Sequence, residues 1–191
     1  MLHPARVLRN GHAHDPAQLV YLERAFDLLD DPAPQVCDPT VPPPGAILAP
    51  TMRDLIAWGR GPVRDGIVID VEDVGVMLGI GLTRITDLVH LWVPFRRGAD
   101  LYWDEATLPN VVAWVDAILG DPAIPKWYHN VVADVPWLVQ TGFRVDGIAG
   151  DTMLMSHVAW PELPKGLQAL STLYLGAPNW KWMMAEVEEE K

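Results

Sequence analysis

A single cysteine, Cys37, stands among the 191 residues. One thiol excludes an internal disulfide and a thiolate-held metal site, since both need partners. Lysine and arginine are scarce too: 14 of them against 25 Asp and Glu leave a net charge of −11. That balance speaks against a protein that coats nucleic acid by charge alone. No run comes near the ~20 apolar residues of a membrane span, and the N-terminus lacks the basic-then-apolar order of a signal peptide. The chain therefore reads as soluble and intracellular, with a cytoplasmic location expected. What it does have is apolar mass. Half of it is hydrophobic and nine residues are Trp, enough to build one domain of ordinary size with a short appendage.

The most informative stretch is Gly66-Ile67-Val68-Ile69-Asp70-Val71-Glu72-Asp73-Val74-Gly75. Ile67 to Val71 are β-branched and mostly apolar, the pattern of a strand buried on both faces, so carboxylates at its end need a reason. Asp70 and Glu72 are two apart and share a face of such a strand, while Val71 turns into the opposite layer. Two oxygen donors converging from a rigid strand suit a hard divalent cation, Mg²⁺ or Mn²⁺, whose charge offsets their repulsion and desolvation. The alternative is a strand end that simply reaches solvent. An acidic centre that binds cations first also escapes the charge argument, because phosphate then joins the metal rather than the protein.

In chain order, leucines and Phe26 at helical spacing predict a helix over Pro16 to Leu29, with Asp15 as N-cap. Residues 32 to 50 hold seven prolines, a stiff spacer and a natural boundary. Thr51 caps a short helix over Met52 to Trp58, which Gly59 and Gly61-Pro62 end. The domains expected are an appendage over 1–31, a Pro-rich linker and short helix over 32–62, and the main domain over 63–191. Within the last, Val76 to Leu82 and Asp87 to Pro94 join Ile67 to Val71 in an antiparallel three-strand meander. A helix over Asp104 to Leu119 follows, with an apolar stripe of Leu108, Val111, Val112, Val115 and Leu119. Lys126 to His129 is a short strand. Strands first, then alternating helix and strand, predict an α/β fold: a mixed sheet with flanking helices.

A second constellation runs from Trp127 through His129, Asn130 and Asp134 to Leu138. Pro136 belongs in a first helical turn, so a helix should start between Asn130 and Asp134. Asp134 then sits at a helix N-terminus, either as a functional carboxylate or merely as a cap. Asp151 to Gly176 reads as a capped helix, a proline-punctuated turn and a second helix ending at Gly176. His157 reads as a packed or partly exposed helical residue rather than a ligand.

Together, Asp70-x-Glu72, His129-Asn130-x-x-x-Asp134 and Asp151-Thr152-Met153-Leu154, with Leu163-Pro164-Lys165-x-Leu167-x-x-Leu170, resemble the DEDD-type 3'-5' exonucleases. The proofreading-type domains of family A DNA polymerases and related phage and bacterial proteins are the likeness, over about Gly66 to Lys181. The resemblance implies a ribonuclease-H-like fold and two Mg²⁺ or Mn²⁺ ions acting at the 3' end of single-stranded DNA. It implies that Asp70 bridges both ions, Glu72 holds one and Asp134 the other, as catalytic and metal-binding residues. Asn130 is implied to contact the terminal nucleotide, with His129 as a further substrate contact or a structural hydrogen bond at the strand end. Asp151 is implied to cap the helix that begins at Thr152.

One departure from that family stands out. The fourth carboxylate, expected in a Tyr-x-x-x-Asp or His-x-x-x-x-Asp arrangement, has no counterpart after Lys181: neither Tyr nor His occurs there. The chain is expected to stop before this motif, with Glu186 or Glu188 as substitutes or as part of a solvated acidic tail. Besides a weak or incomplete exonuclease, the sequence allows an inactive module that binds nucleic-acid ends. It also allows a docking part of a split replication or repair enzyme, whose missing motif comes from a polymerase or a downstream polypeptide. At the other terminus, His3, Pro4, Ala5, Leu8 and Arg9 resemble the end of a uracil-DNA glycosylase, implying a remnant of a fused repair enzyme. The acid and base pocket of such an enzyme would lie upstream, so that activity is not carried over.

Overall fold

The computed structural model describes residues 42–177. The expected helix over Pro16 to Leu29, the glycosylase-like stretch and the tail with Glu186 and Glu188 lie outside the described residues. Two compact units are present: residues 42–152, and a second to which residues 153–177 belong.

The first unit is built on the predicted meander. β1 (Ile67–Asp73) pairs antiparallel with β2 (Met77–Arg84), which pairs antiparallel with β3 (His90–Pro94). β6 (Lys126–Tyr128) lies parallel to the other side of β1, and β7 (Ile148–Asp151) lies parallel to β6, giving the order β3-β2-β1-β6-β7. A two-residue hairpin, β4 (Arg96–Arg97) with β5 (Asp100–Leu101), forms a separate ribbon. The fold is thus a mixed α/β sheet, antiparallel on one side of β1 and parallel on the other.

β1 is not buried on both faces. Ile67 and Ile69 are 0% and 2% exposed, but Val68 between them is 41% exposed. Alternation, rather than a continuous apolar run, governs this strand. The buried face continues through Ile80, Leu82, Leu91 and Val93. α2 (Leu108–Leu119) contributes Val111, Val115, Ile118 and Leu119 to the same core. The expected stripe was rotated slightly, since Val112 faces outward and Ile118 inward. The helix also starts four residues later than expected, because Asp104 accepts the Thr107 N–H and hydroxyl and closes a turn ahead of it.

α1 (Met52–Gly59) begins at a reciprocal capping box between Thr51 and Asp54. Its Leu55 and Trp58 are fully buried members of the core, so this helix belongs to the first unit rather than to a spacer. Arg84, itself buried, donates to the Trp58 carbonyl at 2.7 Å, makes a two-pronged ion pair with Asp87 and stacks over the Trp58 ring. A buried guanidinium with its donors satisfied in this way ties α1 to the β2–β3 turn. Within the Pro-rich stretch, Ile47 bridges to the edge strand β3 through its N–H to the His90 carbonyl and its carbonyl to the Trp92 N–H.

α4 runs from Thr152, the last residue of the first unit, to Ala159, and α5 of the second unit runs from Leu167 to Leu175, closed by Gly176 in the left-handed region. Leu163 and Leu173 bury each other with Trp160, and Lys165 donates to the carbonyls of Trp160, Pro161 and Leu163. Among the described residues, no helix is long and apolar enough to cross a membrane.

Candidate active site

Asp70 and Glu72 occupy the last part of β1 on its outward face, opposite Gly81 and Gly79 of β2. The register then slips between Glu72 and Asp73, a bulge that ends regular pairing just where the acids stand. Both cross-strand neighbours are glycines, so no side chain crowds the carboxylates from β2. A Cβ at Gly79 would sit 2.3 Å from the Trp92 indole, which lies over that backbone.

α3 (Val131–Gln140) follows β6 after His129 and Asn130. Pro136 is the sixth residue of this helix, not part of its first turn as the sequence suggested, and forfeits one hydrogen bond there. Asn130 holds the N-cap position in the left-handed region, φ 73°, with no capping bond from its own side chain. The cap comes from Asp151 at the end of β7. Its carboxylate, 5% exposed, accepts the N–H of Asn130 at 3.0 Å and that of Val131 at 2.7 Å. Asp151 therefore caps the start of α3, and Asp134, in the first turn of α3, is not that helix's cap.

With that bland role taken by Asp151, the state of Asp134 becomes informative. Burial pushes its pKa up from 3.8 to about 7, and the charges of Asp70, Asp151 and Glu72 push the same way. Burial also raises Asp70, against a smaller opposing effect from His129, and raises Glu72 together with the charges of Asp70 and Asp73. Asp70 and Glu72 keep accessible side chains, so their desolvation is partial. Three acids from two separate stretches of chain are thus electrostatically coupled at the carboxyl end of β1 and β6. They are not drawn into a cage. Among the described residues, no three His, Cys, Asp or Glu side chains are grouped closely enough to hold a metal ion.

His129 Nδ1 lies 2.9 Å from the Thr152 hydroxyl, which in turn donates to the Tyr128 carbonyl at 3.3 Å. The ring is therefore held by a structural bond at the strand end while remaining within electrostatic reach of Asp70. Sequence reasoning missed Thr152, Trp92 and Tyr128 as neighbours of the site. The alternating Gly79-Ile80-Gly81, facing an alternating pair of acids, was the one signal that pointed to open space there.

No family model matches the chain. It is 33% identical over 159 residues to DNA polymerase I of Mycobacterium tuberculosis (strain H37Rv) and equally to that of Mycobacterium bovis, over 82% of its own length. It spans 17% of the length of those relatives. Among solved structures it is similar to Trypanosoma brucei RNase D in complex with RNA U12, with a TM-score of 0.55 and 15% identity over 73% of this chain and 50% of that one. It is also similar to the POL domain of Pol1 from M. smegmatis in complex with DNA primer-template and dNTP. There the TM-score is 0.51 and the identity 20%, over 69% and 22% of the two chains. Escherichia coli RNase D, an exoribonuclease involved in structured RNA processing, gives a TM-score of 0.50 and 19% identity, over 69% and 34%. The chain has a ribonuclease-H-like fold. In a ribonuclease-H-like sheet the acids of this protein fall at the carboxyl ends of parallel neighbours β1 and β6, where an α/β sheet opens toward ligands.

Proposed function

We propose that this protein is a two-metal 3'-5' exonuclease domain that removes nucleotides from the 3' end of DNA. The observation that carries the reading is Asp134. Its carboxyl is held near neutrality by burial and by the charges of Asp70 and Glu72, which marks a shared acidic focus rather than three unrelated surface acids. The donors suit the cation in kind, though not yet in spacing: all three are carboxylates, the hard oxygen ligands that Mg²⁺ and Mn²⁺ take. Asp70, Glu72 and Asp134 would hold the ions, which when bound supply activation of water and stabilisation of the leaving 3'-oxygen. The chain's own residues supply position. β1 fixes Asp70 and Glu72 on one face, Asp151 fixes the start of α3 and hence Asp134, and Asn130 and His129, between the end of β6 and α3, would receive the terminal nucleotide. DNA is favoured over RNA by the similarity to DNA polymerase I, and the replication or repair setting rests on that similarity too.

The open arrangement of the acids favours a second reading, an end-binding module or docking part without turnover of its own. Release of mononucleotides from single-stranded DNA with Mn²⁺, abolished by Asp70→Ala, supports the first reading. Cation binding without release supports the second. Recovery of release on adding a polypeptide that carries Tyr-x-x-x-Asp would assign the fourth carboxylate to a partner.

A further inference from the structure

Trp92 lies in the middle of β3 between Leu91 and Val93, both fully buried in the core. Alternation sends its indole to the opposite face of the sheet, the face of Asp70 and Glu72. It pairs with Gly81, the partner of Asp70, and its ring leans diagonally over Gly79, the partner of Glu72. Ring atoms stand 2.3, 2.6 and 2.8 Å from the position of a Cβ at Gly79, so the ring rests on that backbone by its face rather than its edge. The indole thus lies one strand spacing, roughly 5 Å, from the strand that carries the acids. Trp58 and Trp103, by contrast, are core residues whose N–H groups donate to the carbonyls of Val89 and Pro94. Trp92 is only half-buried, belongs to neither hydrophobic cluster, and its N–H donates to no described residue. Covering a glycine is a service that aromatic rings perform in many sheets. It uses one face of the indole and leaves the other directed away from the sheet.

A strand end brought to this site needs a hold other than charge. Lysine and arginine number 14 against 25 acids, so attraction of phosphates is a poor source of it. Stacking of a base on an aromatic face needs no positive charge. We infer that Trp92 is a nucleobase-binding residue, whose free face takes one base of a single strand as that strand crosses the carboxyl end of β1. The inference rests on the nucleic-acid reading proposed above and requires no metal ion. Asn130 and His129 follow β6, on the other side of β1 from β2 and β3. The base on Trp92 is therefore not the terminal one but the second or third from the 3' end. Because every base has such a face, the contact holds a strand without reading its sequence.

Binding of an oligo-dT of about eight nucleotides to the full chain, followed by fluorescence anisotropy in EDTA and in Mg²⁺, tests this. Phosphorothioate links protect its 3' end. Trp92→Leu should weaken binding about tenfold, and Trp92→Phe, which keeps an aromatic face, should lose much less. The loss in Trp92→Leu should disappear on an oligonucleotide that is abasic at the second and third positions from its 3' end, since no base is there to stack. Undiminished binding of oligo-dT by Trp92→Leu overturns the inference, and so does an equal loss on the abasic oligonucleotide. Trp92→Phe binding no better than Trp92→Leu overturns it as well. Should Trp92→Leu not fold, the unaltered chain decides. With 5-iodouracil at either position, irradiation should attach the oligonucleotide to Trp92, and irradiation that leaves Trp92 unmodified overturns the inference. If the unaltered chain binds oligo-dT in neither EDTA nor Mg²⁺, the nucleic-acid reading itself falls and takes this inference with it.

Discussion

Asp151 accepts the backbone N–H of Val131 at 2.7 Å, so the end of one strand caps the helix that leaves its neighbour. The same carboxylate accepts the Asn130 N–H. Asp151→Ala strands two buried donors at once and should cost about 1–3 kcal/mol in urea unfolding. Asp151→Asn retains one acceptor oxygen and should fall between. Because α3 carries Asp134, both variants should also lose Mn²⁺ affinity.

The metal-free protein should grow less stable as pH rises from about 4 to about 7. Asp134 titrates at 3.8 when unfolded and at about 7 when folded, so the folded state holds its proton over that interval. Stability tied to that proton is complete below 3.8 and is lost as pH climbs through the folded value. Asp70 and Glu72, also raised, act in the same direction. Melting in EDTA across this range should show the decline, and Asp134→Asn should flatten it and melt higher at pH 7.5. A parallel slope in Asp134→Asn would show that its carboxyl titrates normally.

Asn130 is a non-glycine residue in the left-handed region. Asn130→Gly should be neutral or stabilising by up to about 1 kcal/mol, because glycine adopts that conformation without a Cβ penalty. If the side chain receives the terminal nucleotide, the same variant raises KM for single-stranded DNA. Stability and substrate binding would then move in opposite directions, read by melting and by steady-state kinetics on one preparation.

Gly79→Ala places a methyl within 2.3 Å of the Trp92 indole. The ring must swing off the sheet, and overpacking of this kind costs about 1–3 kcal/mol. Altered tryptophan emission alongside a lower urea midpoint would confirm that the indole moved.

Much of this was legible in the residues. The β-branched run from Ile67 to Val71 announced the strand, though not its alternating burial, the two-residue spacing of Asp70 and Glu72 announced the acid face, and the Thr51 and Gly176 signals marked helix ends. What escaped did so for identifiable reasons. β7 is only Ile148-Ala149-Gly150-Asp151, with one β-branched residue, and takes its strand form from pairing with β6 rather than from propensity. Pro136 misled because the expectation assumed an intact hydrogen-bond ladder, whereas α3 tolerates the gap in its second turn. The capping role of Asp151 toward α3 was invisible because it acts across twenty residues of chain, beyond any local spacing rule.

The indole of Trp58, wedged under the sheet and stacked beneath Arg84, has a practical corollary. Anyone grafting this sheet into another polypeptide must carry the seam from Thr51 onward. A cut at Gly61 would leave a two-ring hollow under the strands and a guanidinium deprived of its carbonyl anchor.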